Sequence, residues 1–360
     1  MEEYHTLLKE ILGKGDVSYE PRTEEYILGI SGWQTNFDLR KGFPIITTKD
    51  VPARLPFEEL FWKLRGERNV KSLVDKNVNI WTANAFDRYL KKNGLKEKIP
   101  KHTQKWNEEF VIYTERIKND SEFAKVAGDL GPVYGYNWIH DKDSDGNEID
   151  QLQNLLKGIK ERPGSRYHTL SAWNVSKLKE MALGPCPFWH QFSVWGNFID
   201  LHMVQRSNDI FLGNPFNQAQ DSLLLHMIAK ETGYEPRNFI YTTINTHAYL
   251  GVPPRADFWM DSDNVKEFKN KFKKIGRRGD YIELKEWYLK TAPIESEGNK
   301  RKDHIPFILE QLSKEPKEIP KLKFEKDVPL LEAINLPLLE VVSLKGYNPH
   351  KWDSKAKMAA

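Results

Sequence analysis

A single cysteine in 360 residues is the sparsest feature of this sequence, and it excludes both an intramolecular disulfide and a multi-thiolate zinc site. Burial or reactivity remains as the reason for Cys186. Net charge is also scant: 54 Lys and Arg against 51 Asp and Glu leave +3 at pH 7, so the chain as a whole is no polybasic nucleic-acid binder. Long apolar runs are missing. The N-terminal MEEYHTLLKEIL is charged and amphipathic, which indicates neither a signal peptide nor a membrane span and leaves a reducing, cytoplasmic setting as the default expectation. No internal repeat is evident. What is plentiful is core material, 39% hydrophobic and 12% aromatic residues, enough for one large domain or two.

Chemistry concentrates between Leu183 and Asn217, LGPCPFWHQFSVWGNFIDLHMVQRSNDIFLGNPFN. Cys186 is followed there by Gln205, Arg206, Ser207 and Asp209, then by Leu212, Gly213, Phe216 and Asn217. A cysteine after proline in a strand is usually inert and buried. A thiol, a guanidinium, a hydroxyl, a carboxylate and a carboxamide in one stretch are more than a strand pair needs, and a nearby guanidinium favours the nucleophilic thiolate.

Periodicity places this stretch in a chain rich in strands. Tyr4, Leu7, Leu8, Ile11 and Leu12 predict an opening helix ended by Gly13 and Gly15. Tyr26 to Leu39 reads as one or two strands with a bend, preceded by Arg22 in a loop, where solvent exposure is the bland reading. Pro56 to Gly66 reads as a helix with Glu58 and Glu59 in its first turns, where helix-end electrostatics alone would explain them. Lys91 to Lys125 is lysine-rich and predicts a partly helical surface insertion ending in the Gly128 to Gly135 turn. Beyond a helix at Ile149 to Ile159, Leu170 to Val175 is a short strand, and Phe188 to Val194 and Phe198 to Val204 form a strand pair across Trp195-Gly196-Asn197. Gln218 to Thr232 is apolar nearly all round, as a buried central helix is. Phe239 to Leu250 alternates like a strand and puts His247 and Tyr249 on one face, where a hydrogen-bonded structural histidine is the commoner case. Gly251 to Asp303 reads as a polar peripheral insertion holding a helix or two; Ile305 to Leu312 is helical, and Pro320 to Phe324 and Leu339 to Leu344 are strands.

Taken together, GFPIITTK (Gly42 to Lys49), EELFWKLRG (Glu58 to Gly66), NIW (Asn79 to Trp81), DLGPVYG (Asp129 to Gly135), SAWNV, MALGPC, QRSND, FLGNPFN, THAY, QLSKEP and GYNPH resemble thymidylate synthase in content and order. The resemblance covers nearly the whole chain except insertions at about 91–127 and 251–303. It implies a single domain over 1–360 with an α+β, thymidylate-synthase-like fold: a large, mostly antiparallel bent sheet flanked by helices, packed into a homodimer. It also implies dUMP as substrate and 5,10-methylenetetrahydrofolate as cofactor, with no metal, no membrane and no nucleic-acid partner.

By that resemblance Cys186 attacks C6 of the pyrimidine, Glu59 organises water and moves protons, and Tyr134 lies near C5. Arg206, Ser207 and Arg22 clamp the phosphate, joined across the dimer interface by Arg166, because bidentate guanidinium geometry suits a phosphate dianion. Gln205 and Asp209 flank the nucleotide, Asn217 reads the base edge, and His247 with Tyr249 holds the deoxyribose hydroxyl. Ile80, Trp81, Asp209, Leu212, Gly213 and Phe216 line the folate side, and the tail at Ala360 closes over it.

The sequence departs from the family's pattern beside these positions. Pro187 stands where histidine is usual, Tyr167 where a second cross-dimer arginine is expected, Asn245 where an aspartate precedes THAY, and Gln218 to Asp221 lack the usual aromatic. These changes set the expectation of a dUMP hydroxymethylase, resembling virus-encoded relatives that modify DNA precursors, in which water rather than hydride adds to the methylene intermediate. Thymidylate synthase itself, making dTMP and dihydrofolate, is the alternative; a non-catalytic nucleotide- or RNA-binding relative is the alternative of another class. Asn217, in place of the aspartate of cytosine-specific relatives, points to uracil.

Overall fold

A computed structural model describes residues 2–101, 103–352 and 356. The chain opens with α1 (Glu2–Lys14), which buries the predicted Tyr4, Leu7, Leu8, Ile11 and Leu12, and continues into β1 (Asp16–Glu20) and β2 (Glu25–Asp38). Helix α2 (Arg54–Leu64) buries every residue from Pro56 to Leu64. Because it starts at Arg54, its first turn holds no acidic residue, and Glu59 lies a turn further in, beyond the reach of helix-end electrostatics. Short α3 (Lys71–Asp75) and α4 (Thr82–Lys92) follow.

The 91–127 stretch is more helical than its composition implies. Helices α5 (Gln104–Asn119) and α6 (Ser121–Ala127) are each started by a side-chain cap, Thr103 Oγ1 accepting from Trp106 N and Asp120 from Phe123 N. Only Trp106, Tyr113 and Ile117 of α5 are buried, too few to give a strong period. They anchor it nonetheless, with the Phe86 ring edge-on to Trp106 at 5.4 Å and tilted against Tyr113 at 4.8 Å.

After α7 (Gly135–Ile139), a small hairpin of β3 (Asp141–Lys142) and β4 (Glu148–Ile149), and α8 (Gln151–Glu161), the main sheet resumes with β5 (Thr169–Ser171), β6 (Pro187–Trp195) and β7 (Phe198–Asp209). The strand predicted over Leu170 to Val175 is thus shorter. Past Ser171 the chain leaves the sheet, turning through a 3₁₀ segment at Val175–Glu180 whose residues are not buried. Helix α9 (Gly213–Thr232) starts five residues earlier than predicted, and Gly233 ends it in the left-handed conformation. Strand β8 (Glu235–Gly251) completes a sheet of order β1-β2-β8-β7-β6-β5, antiparallel except for the β7–β8 pair.

Register divides this sheet into two faces. Phe37, Phe239, Leu201 and Phe192 lie side by side across β2, β8, β7 and β6, as do Thr35, Tyr241, Met203 and His190, and all eight are buried. Alternating with them run Asn36, Ile240, His202 and Gln191, and Gln34, Thr242, Val204 and Trp189, which are half-buried or exposed. Alternation of period two thus gives one face to the core, where α9 packs, and leaves the other open.

The 251–303 segment is not merely a polar appendage. Helices α10 (Ser262–Lys273) and α11 (Asp280–Thr291) enclose Phe258, Trp259, Phe268 and Tyr288. Buried Arg255 and Asp303, 2.7 Å apart, clamp the two ends, and Tyr288 Oη donates to the same carboxylate. Then come α12 (Ile305–Leu312), β9 (Lys321–Phe324), α13 (Leu330–Ala333), α14 (Leu338–Val341) and β10 (Val342–Lys345), the last pairing with β9. The strand predicted over Leu339 to Leu344 begins as a helical turn, started after Pro337 and with Leu338 and Val341 buried together. Among the described residues no helix is long and apolar enough to cross a membrane.

Candidate active site

The parallel β7–β8 pair aligns the polar residues at the end of β7 with those of β8: Gln205 with Thr243, Ser207 with Asn245, and Asp209 with His247. Cys186 lies just before β6 and is drawn to the same region by β7, Arg206 N donating to Cys186 O at 2.9 Å. The Arg206 guanidinium is tied to the approach to the cysteine. Its Nε donates to Pro185 O (2.9 Å) and its Nη2 to Gly184 O (2.7 Å), with Nη2 3.7 Å from Cys186 Sγ.

Burial pushes the Cys186 thiol up, while Arg206, then Arg22 and Lys63, and a hydrogen bond with Tyr134 pull it down. Burial prevails. The Arg206 guanidinium acts in the direction that favours the thiolate, but in the free protein the burial of the sulfur outweighs it.

Tyr134 Oη accepts from Cys186 N at 2.8 Å, and burial holds this phenol well above its ordinary range. The residue sits at φ 38°, a left-handed backbone that costs a non-glycine residue about 1–3 kcal/mol. Glycine next to it explains the turn. A Cβ on Gly135 would stand 1.8 Å from Lys63 O, so only glycine lets the turn press against α2.

Across this turn, Glu59 Oε1 accepts from Trp81 Nε1 at 2.9 Å and lies 3.1 Å from Lys63 Nζ. Trp81 in turn packs 5.4 Å from the Tyr134 ring. Cys186, Arg206, Tyr134, Glu59 and Trp81, contributed by four separate stretches of chain, are one connected group.

Asn217, in the second turn of α9, donates from Nδ2 to Gln205 Oε1 at 3.0 Å. Gln205 is only 1% exposed; its Oε1 also accepts from Tyr241 Oη and its Nε2 donates to Ser207 O. Its amide is thereby locked, with the carbonyl toward Asn217. Asp209 accepts from Phe211 N (2.9 Å) and Leu212 N (3.1 Å), shaping the turn that brings half-buried Leu212, Gly213 and Phe216 to the start of α9.

His247 Nδ1 is 2.7 Å from Asn245 Oδ1, and burial pulls its pKa down. A neutral ring that donates from Nδ1 keeps Nε2 as an acceptor. Asn245, uncharged, suits that state better than an aspartate would. Tyr249 packs edge-on to His247 at 5.2 Å.

Other expected residues stand apart. Arg22 is on the exposed turn between β1 and β2, 3.7 Å from Glu20, acting on Cys186 through its field. Arg166 is exposed on the loop before β5, next to Tyr167, which is 91% exposed. Half-buried Ile80 precedes Trp81, and Ala360 lies outside the described residues. Beside Leu183 a cavity of about 770 Å³ opens, lined by Arg22, Lys91, Lys96, Lys179 and Met181 among others.

Sequence reasoning passed over several residues here. Lys49, within the TTK stretch, is buried with its ammonium 3.7 Å over the Phe211 ring, and burial pulls it down to about 7. His304, buried 3.8 Å from Asp209, arrives through the return of the 251–303 segment and carried no local signal. Lys63 had one: it is four residues after Glu59 on the same helix.

The family profile described as thymidylate synthase matches residues 2–360. The chain is 40% identical over 251 residues to the thymidylate synthase of Mesoplasma florum, covering 69% of this chain and 82% of the relative. That of Mycoplasma mobile is 41% identical over 250 residues, with 69% and 81% covered. That of Listeria monocytogenes is 40% identical over 260 residues, with 69% and 82% covered.

Proposed function

The chain belongs to the thymidylate synthase family, and from that premise we propose that it transfers a one-carbon unit from methylenetetrahydrofolate to C5 of dUMP and releases dTMP. The observation that carries the reading is the connected group in which Cys186 Sγ, 3.7 Å from the Arg206 guanidinium, shares Tyr134 with the Glu59–Trp81 pair.

Each residue then has a task set by its chemistry. Cys186, once deprotonated, bonds to C6 and makes C5 nucleophilic; an adduct splits one hard step into two easier ones. Glu59 is the base for the proton that C5 must lose, acting through water. Arg206, Ser207 and Arg22 hold the phosphate, whose negative charge the guanidinium groups complement. Asn217 presents a carbonyl and its second N–H to the uracil lactam, and Gln205 fixes that amide from behind. His247 Nε2 is placed as an acceptor for the sugar hydroxyl, with Tyr249 beside it.

Methylenetetrahydrofolate supplies the carbon and, for a methyl product, the hydride. The residues fit it: Trp81, Leu212 and Phe216 offer apolar surface and Asp209 a polar group, and the basic cavity beside Leu183 suits a donor that carries carboxylates. The open face of the sheet, with Val204, Ile240 and Trp189 among polar residues, supports a homodimer in which exposed Arg166 reaches the partner's phosphate site. A soluble, cytoplasmic setting accords with this chemistry.

The relatives, all thymidylate synthases by name, favour the methyl product over the hydroxymethyl one expected from the altered residues. Two of those alterations have local explanations as well. Pro187 occupies a β-bulge at the start of β6, and Asn245 Oδ1 stands 2.7 Å from Nδ1 of His247, whose pKa burial lowers. The test is to incubate the protein with dUMP and methylenetetrahydrofolate and identify both products. dTMP with equimolar dihydrofolate supports the assignment; 5-hydroxymethyl-dUMP with free tetrahydrofolate overturns it.

A further inference from the structure

Lys63 is 3% exposed and lies inside the candidate site. Burying an ammonium is costly unless it is paired and hydrogen-bonded, and this one has three partners. Its Nζ stands 3.1 Å from Glu59 Oε1, 2.6 Å from Gln220 Oε1 and 4.2 Å over the Tyr134 ring. Gln220 Nε2 donates back to Pro56 O at 2.9 Å, so this amide, too, is locked with its carbonyl toward the lysine.

All three partners belong to elements that build the site. Glu59 is on α2, one turn before Lys63. Gln220 is on α9, one turn after Asn217. Tyr134 is in the turn that receives Cys186 N–H. A lysine serving stability alone would need only a counter-charge; this one joins the carboxylate to the helix that carries the base-reading amide. Lys63 and Trp81 both meet Glu59 at Oε1.

We propose that Lys63 is a positioning residue for the one-carbon transfer, holding the Glu59 carboxylate in register with Asn217 so that Oε2 is the oxygen presented to C5. The inference rests on the proposed reaction at dUMP. Lys63 exchanges no proton in this role; it fixes which oxygen of Glu59 works and where that oxygen stands relative to the pyrimidine edge.

The test is a double-mutant cycle with dUMP tritiated at C5, reading tritium release and product formation with methylenetetrahydrofolate. Lys63→Met is expected to lower kcat about 10- to 100-fold, the scale of losing a charge-assisted contact, with KM for dUMP within about threefold. In a Glu59→Gln background the same substitution should cost less than about threefold, since it acts through the carboxylate. Quenching of tryptophan fluorescence by dUMP checks that Lys63→Met is folded. Should it fail to fold, Gln220→Met, which removes only the far partner, is expected to give a smaller kcat loss that also vanishes in the Glu59→Gln background. A Lys63→Met enzyme with unchanged kcat, or a loss just as large in the Glu59→Gln background, overturns the positioning role. Wild-type protein that releases no tritium from dUMP overturns the reaction itself instead.

Discussion

Asn217→Asp is the substitution for which the structure gives the most specific expectation. Asn217 Nδ2 donates to Gln205 Oε1 at 3.0 Å, and Gln205 cannot turn its amide to suit a carboxylate, because Tyr241 Oη donates to its oxygen and its nitrogen donates to Ser207 O. An aspartate at 217 would set a carboxylate oxygen against that carbonyl and take away the N–H offered to the uracil carbonyl. Each loss, leaving a buried acceptor without its donor, costs about 1–3 kcal/mol. Together, about 3–4 kcal/mol corresponds to a fall of about 10²–10³-fold in kcat/KM for dUMP. For dCMP, whose amino group is a donor, the second loss turns into a gain, so its kcat/KM should rise relative to dUMP. Steady-state kinetics of both nucleotides with wild type and variant measure this ratio. An unchanged preference for dUMP would refute the base-reading role of Asn217 and the locking role of Gln205 with it.

Cys186→Ala should abolish turnover while leaving the fold and dUMP-induced fluorescence quenching intact; appreciable residual activity rules out covalent catalysis. His5 gives a prediction about stability. Burial pulls it down to about 3, chiefly by desolvation, with its Nε2 3.1 Å from Thr48 Oγ1. Its folded pKa lies below the unfolded value near 6.5, so the unfolded chain takes the proton first and stability falls as pH drops from about 6.5 toward 3. Between pH 7 and 5 this one group should remove about 2 kcal/mol. Urea unfolding at the two pH values should therefore show a smaller decrease for His5→Gln than for wild type, and equal decreases would contradict the assignment.

Much of the sheet was legible because its alternation is strict. Phe37, Phe239, Leu201 and Phe192 fall on the buried face by parity alone, and the turn at Gly196 separates β6 from β7 where the sequence places it. Helix α5 was harder to see, since three buried residues in sixteen give little period. The aromatic cluster of 251–303 was hidden because Phe258, Trp259, Phe268 and Tyr288 are spread among lysines and glutamates and meet only once the segment folds back on itself.

At the site, residue types and order singled out Cys186, Arg206, Glu59 and Asn217 as candidates. Their second partners were out of reach, because Lys63 and Gln220 are 157 positions apart and Tyr241 meets Gln205 across a parallel strand pair. Nor could the sequence give the direction of the Cys186 thiol. A neighbouring arginine argues one way, burial the other, and only the fold supplies the burial.

The central claim is that Cys186 is the nucleophile of this group. Its most direct test is mass spectrometry of protein quenched during turnover with dUMP and methylenetetrahydrofolate. The account predicts a nucleotide-bearing adduct on the peptide that contains Cys186, absent when dUMP is omitted. Product accumulating while that peptide stays unmodified at every time point would contradict it.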